Sequence, residues 1–145
     1  LVKTSLKKMG QEMLFWKVAM KPGKPLAFGR IDDVPIFGLP GNPVSSFVSF
    51  EQFVRPSIRK MMGATQLNHK CVQAKLTRTV HKKAGRQHFL SSYVNWEDGE
   101  CTVSPTQEQG SGILKSTVNA NGLLIFPLEL TEMTEGTEVT VQLLE

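Results

Sequence analysis

Val34-Pro-Ile-Phe-Gly-Leu-Pro-Gly-Asn-Pro-Val-Ser-Ser-Phe47 is the stretch on which the fold turns. Residues 34–39 read as a short buried strand that runs straight into a Pro-Gly turn and then an apolar helix. Asn42 can cap that helix, and Pro43 suits its first turn, where an N–H has no intrahelical partner. Ser45 falls on the same first turn. The free N–H groups there carry roughly +0.5 of a charge and favour a tetrahedral oxyanion or phosphate. Upstream, Lys21-Pro-Gly-Lys-Pro25 sets two full positive charges beside a second turn. A helix that starts Asn-Pro after a glycine turn is common and by itself marks no site. The preceding strand supplies context, because in open α/β sheets ligands gather at the carboxyl ends of strands.

Working outward, 145 residues with 40% hydrophobic content hold one ordinary core or two small ones. No apolar run approaches the ~18 residues of a membrane span, and no charged-then-apolar start resembles a signal peptide. The expectation is therefore a cytoplasmic protein with no membrane partner. The chain starts at Leu1 rather than Met, which is expected of a piece of a longer protein. Cys71 and Cys101 stand far apart without a second Cys or His at ligand spacing, so two reduced thiols are expected and no metal site. His69, His81 and His88 form no H-x-x-x-H pattern and read as ordinary surface or packed histidines.

The net charge of +4 is unevenly shared. Residues 1–66 hold ten basic and four acidic side chains, +6, and residues 67–145 hold seven and nine, −2. The basic half is the half with both turns. Nucleic-acid binding is not expected, because no aromatic platform is interleaved with the basic residues. A small anion fits better.

Thr4 to Met9 reads as the end of a helix closed by Gly10. Met13 to Met20 reads as a strand, with Leu14, Trp16 and Val18 on one face and Phe15, Lys17 and Ala19 on the other. Residues 26–29 and 34–38 are two more strands, joined by the polar turn Arg30-Ile-Asp-Asp33, whose acids read as solvated hairpin residues. From Pro43 to Met62 apolar residues recur at helical spacing, with a kink expected at Pro56 and closure at Gly63. Residues 64–69 form a linker. Beyond Lys70 the texture is alternating, with strands expected over 72–80, 88–96, 100–104, 123–126 and 138–143 and a Glu97-Asp98-Gly99 turn. These strands would close a small barrel or sandwich.

The segments VAMKPGKPLAFG, PIFGLPGNPVSSFVSFEQFVRPSIRKMMG, GRQHF and QGSGIL…ANGLLIFP together resemble the molybdopterin molybdenumtransferase family, to which the E domain of gephyrin belongs. The resemblance implies that residues 1–66 are the second half of an α/β, three-layer molybdopterin-binding domain similar to the adenylating proteins. Residues 67–145 would be a C-terminal β-barrel domain. It implies that Lys21, Lys24, Ser45, Arg86 and Ser111 bind molybdate, that Lys17 and Lys21 serve catalysis, and that Pro40, Gly41, Asn42 and Pro43 shape the turn at the nucleotide end. Many members carry a second Arg five residues after the first, where this chain has Ser91.

The implied reaction inserts molybdate into adenylated molybdopterin and releases AMP, with Mg²⁺ held by an upstream acidic loop that lies outside this chain. The isolated chain is therefore expected to be inactive, and a homodimer is expected. A dianion stripped of water needs compensating cations and donors, which this residue set supplies. Two alternatives stand beside it: a scaffolding or binding protein of the gephyrin type, and a molybdopterin adenylyltransferase. The β tail argues against the latter, because the adenylating proteins resemble the first part alone.

Overall fold

The computed structural model describes Gly10 and residues 12–106 and 119–144. The helix expected over Thr4 to Met9, the QGSG segment and Ser111 lie outside the described residues.

The amino-terminal part builds an antiparallel meander, β1 (Glu12–Trp16), β3 (Ala27–Ile31) and β4 (Val34–Gly38), in the order β1-β3-β4. Ile31 pairs with Val34 around a tight Asp32-Asp33 turn, as expected, and Asp32 takes a φ of 51°, which an Asp side chain tolerates. Between β1 and β3 a two-residue strand, β2 (Met20–Lys21), leaves this sheet altogether. The strand expected from Met13 to Met20 is thus split. Lys17, at φ 88°, breaks the extended backbone, and a register irregularity between Met13 and Phe15 disturbs the face alternation. Phe15 packs inward against Phe28 and Phe53, whereas Leu14 and Trp16 are exposed.

The strand expected to be buried in an open α/β sheet also differs. β4 pairs antiparallel with β3, and Val34 is 63% exposed. Of the α/β arrangement expected for residues 1–66, the described residues form this meander and one helix. The order strand, Pro-Gly turn, helix is as read from sequence.

The helix runs as α1 (Pro43–Ser49), a π-helical turn (Phe50–Val54) and α2 (Arg55–Met61). Asn42 caps it, its Oδ1 accepting the Ser45 amide at 3.3 Å. In place of a simple kink, the expected Pro56 break is absorbed by the wider turn. The Arg55 amide reaches back to the Phe50 carbonyl, so the backbone changes register just before the residue that has no N–H to give. At the far end the Gly63 amide donates to the Lys60 carbonyl and the Ala64 amide to that of Arg59, a Schellman closure. The segment after it is anchored, because buried His69 meets Glu51 of the π turn at 2.5 Å.

The remainder is a closed barrel. β5 (Cys71–Leu76), β7 (Gln87–Glu97), β8 (Glu100–Pro105), β9 (Gly122–Phe126) and β11 (Glu138–Leu143) pair in the circuit β7-β8-β5-β11-β9, and β9 returns to β7. Closure removes the free edges a sheet would otherwise expose. The strand expected over 72–80 ends at Leu76, and the short β6 (Val80–His81) pairs with β10 (Glu132–Met133) across one end. Alternate residues fill the interior, among them Ala74, Leu76, Val94, Val103, Leu124 and Val141. Leu123 and Ile125 of β9 face the other way, onto Val48, Phe47 and Phe53 of the helix. That double burial explains why Leu123-Leu-Ile-Phe126 is apolar throughout instead of alternating.

Gly122 lies where strands meet. A Cβ there would stand 2.8 Å from Val94 Cγ2 and 2.9 Å from Val141 Cγ1. Just before it, the Asn121 side chain accepts from the Val94 amide at 2.7 Å and donates to the Val94 carbonyl at 2.9 Å, completing the ladder in place of backbone. Gly122→Ala is therefore expected to lower unfolding free energy by roughly 1–3 kcal/mol through overpacking. Urea denaturation measures this, and an unchanged midpoint would mean that the barrel interior is looser than its packing implies.

Candidate oxyanion site

The site begins with where β2 goes. Met20 pairs in parallel with Gln87 and Lys21 with His88 on β7, and the Gln87 amide donates to the Ala19 carbonyl at 2.9 Å. Lys21 of the KPGKP turn is thereby held against the start of β7, directly after Arg86. Some 65 residues of sequence separate the two cations.

The turn is closed at its neck by main-chain bonds, Lys17 amide to Leu26 carbonyl at 2.9 Å and Val18 amide to Lys24 carbonyl at 3.0 Å. Lys17 and Lys24 therefore sit at the base of the loop that carries Lys21. All three lysine side chains are exposed. The Lys21-Pro22 peptide is cis. Gly23 is buried at φ 105°, and a Cβ on it would lie 2.6 Å from Ser49 Oγ and 2.9 Å from Met20 Cε, so the turn presses on the helix as only glycine permits.

Ser49 is fully buried, and its hydroxyl has no hydrogen-bond partner. Ser45 stands one helical turn earlier on the same face and is also buried. The amide of Ser45 is the group that Asn42 caps, which leaves its hydroxyl outside the capping bond. Pro40 is buried and its carbonyl accepts from the Ser46 hydroxyl, fixing the turn before the helix; Pro43 occupies the first helical position. Gly41 has open space where a side chain would project.

The electrostatics converge on His88, which sequence reading treated as ordinary. Its pKa is pushed down to about 4, first by burial and then by Lys21, Lys82 and Arg86. A neutral imidazole thus sits among three cations. The His88 ring lies edge-on to Phe126, centroids 6.4 Å apart. Neither Lys17, Lys21, Lys24, Lys82 nor Arg86 has a carboxylate at ion-pair distance among the described residues, unlike Arg30 with Glu12, Arg55 with Glu51 and Lys75 with Glu100. Basic groups gathered without acidic partners attract an anion.

The structure brings together Lys21 and Arg86, with Lys17 and Lys24 at the loop base and Ser45 on the helix face that the loop touches. Lys82 and His88 were missed, although the run Lys82-Lys83-Ala-Gly-Arg86 holds three cations in five residues and would have signalled them. Among the described residues no group of three or more His, Cys, Asp or Glu could hold a metal ion, and no helix is long and apolar enough to cross a membrane.

Residues 1–60 match the probable molybdopterin binding domain, and residues 73–144 match the MoeA C-terminal region (domain IV). Over 143 residues the chain is 38% identical to a molybdopterin molybdenumtransferase of Haemophilus influenzae, a match over 97% of this chain and 35% of that protein. Gephyrin of Dictyostelium discoideum is 36% identical over 163 residues, covering 96% of this chain and 23% of gephyrin. The crystal structure of a molybdopterin biosynthesis MoeA protein from Pyrococcus horikoshii superposes with a TM-score of 0.77 at 30% identity, covering 99% of this chain and 39% of that one. The chain thus spans between about a quarter and two fifths of the lengths of these proteins. With both matches in sequence order and one shared backbone from end to end, the chain belongs to the MoeA family.

Proposed function

We propose that this chain is the oxyanion-holding part of a molybdopterin molybdenumtransferase, which inserts molybdate into adenylated molybdopterin and releases AMP. The observation that carries the reading is the parallel β2–β7 register, which sets Lys21 beside Arg86 with no carboxylate of the described residues at ion-pair distance from either. Molybdate is a tetrahedral dianion. Lys21, Lys24 and Arg86 supply the compensating charge, and Ser45 and Ser111 the hydroxyl donors, with Pro40, Gly41, Asn42 and Pro43 shaping the turn at the nucleotide end. Lys17 and Lys21 stand for catalysis by holding the oxyanion while the dithiolene captures it. Fixing the two reactants together removes much of the entropic barrier to their encounter.

The described residues do not make a Mg²⁺ site, since no cluster of acidic ligands exists among them. In this reading residues 1–66 belong to a three-layer α/β domain that other parts of the protein complete, and residues 67–145 are the barrel domain. A homodimer and a cytoplasmic location are part of the same reading and rest on the family resemblance.

Calorimetric titration with molybdate tests the site. Lys21→Ala and Arg86→Ala are each expected to weaken binding by about 1.5–3 kcal/mol, the worth of a charge-assisted hydrogen bond. Wild-type affinity in both variants would refute the assignment.

Ser45 and Asn42 separate binding from folding. Asn42→Ala is expected to lower stability by ~1 kcal/mol through loss of the cap. Ser45→Ala keeps the capping bond and is expected to weaken molybdate binding while sparing the melting temperature. A Ser45→Ala protein that melts early and binds normally would reverse the two roles.

Acid stability reports on His88. Its folded pKa of about 4 lies below the ordinary 6.5, so between these values the unfolded chain binds the extra proton. Its contribution to stability is whole above pH 6.5, declines as pH falls through that window and is exhausted near pH 4. Urea midpoints measured across this range should fall for the wild type and fall less steeply for His88→Gln; parallel slopes would contradict it.

A further inference from the structure

The connection from β6 to β7 is wrapped onto the segment that follows β9. The Lys82 amide donates to the Thr131 carbonyl at 2.8 Å, and the Gly85 amide to the Leu128 carbonyl at 3.1 Å. Lys82 Nζ donates to that same Leu128 carbonyl at 3.2 Å and stands 4.9 Å above the centre of the Phe126 ring. The stem of Lys82 is therefore pinned at the barrel end, and its ammonium is directed over an aromatic that is itself fully buried. The imidazole of His88 meets the same ring edge-on, and His88 is the register partner of Lys21. Phe126 thus links Lys82 to the strand pair that carries Lys21.

A carbonyl and a ring face hold a cation without neutralising it. Burial lowers the Lys82 pKa, and the acid that opposes this, Glu129, does not reach ion-pair distance. Among the charges acting on His88, Lys82 ranks after Lys21 and ahead of Arg86. All three cations act on one buried imidazole and disfavour its protonation.

We propose that Lys82 is a further oxyanion-binding residue of this site, a third cation that faces the tetrahedral anion held by Lys21 and Arg86. The inference rests on the reading of that pair as the oxyanion site. Pinning by Leu128 and Phe126 orders the ammonium before the anion arrives, so little side-chain entropy is lost on binding. His88, held neutral by its lowered pKa, adds no fourth charge.

The test uses molybdate as probe and calorimetry as readout. Lys82→Met keeps the apolar stem over Phe126 and removes the charge. It is expected to weaken molybdate binding about 10-fold, the lower end for a charged hydrogen bond, with little change in melting temperature. Lys83→Met, at the exposed neighbour, is expected to bind as wild type. Wild-type affinity in Lys82→Met alongside weakened binding in Arg86→Ala would overturn the role of Lys82 and leave the oxyanion site standing. Wild-type affinity in both would overturn the two together. A second measurement needs no variant: with lysines tagged by reductive ¹³C-methylation, the Lys82 resonance should shift on adding molybdate as that of Lys21 does, while Lys83 stays still. An unmoved Lys82 signal would equally overturn the proposal.

Discussion

The pairing of two residues of β2 with the start of β7 is the constraint on which the rest depends. It is short, yet it joins a loop of the amino-terminal part to the wall of the barrel in one continuous sheet. Backbone bonds alone would not hold so brief a strand. Met20 is therefore buried with Val48, Phe89 and Leu123, so the same residue that makes the ladder also sits in the apolar seam between helix and barrel. Gln52 on the π turn bonds Gln142 on β11 at 2.9 Å, adding a polar tie across that seam. The result is a loop fixed on both sides, by strand pairing at Lys21 and by the helix at Gly23.

Rigidity of this kind matters because exposed lysines are mobile and bind anions poorly unless their backbones are held. The loop neck, the Gly23–Ser49 contact and the parallel register together fix the origin of each side chain while leaving the charged ends in solvent. The π turn belongs to the same design. It accommodates Pro56 without interrupting the helix, so one face continues from Ser45 and Ser49, under the loop, to Phe53, under Phe15.

The charge distribution follows the same geometry. Elsewhere on the described surface some basic groups meet acids: Arg30 with Glu12 at 2.7 Å and Lys75 with Glu100 are exposed pairs of small energetic weight. Around His88 no such neutralisation occurs among the described residues, and burial first, then the neighbouring cations, keep the imidazole without its extra proton. Cations kept together without acids repel one another, a cost that a bound anion would offset.

Local chemistry wrote much of this into the chain. The Asn42 cap, the Asp32-Asp33 turn, the Gly63 closure and the alternating strands of the tail each depend on residues a few positions apart, and each was legible in the sequence. The sequence also nominated Lys21, Lys24, Ser45 and Arg86 as site candidates, through the motifs KPGKP, PGNPVS and GRQHF. What sequence could not determine was everything set by distant partners. The departure of β2 from the meander, the parallel register with β7 and the gathering of Lys82 around His88 depend on long-range pairing that no local period encodes. The strand expected from Met13 to Met20 failed for the same reason: its residues favour extension, but tertiary pairing divides them between two sheets, and Lys17 turns at positive φ to allow it.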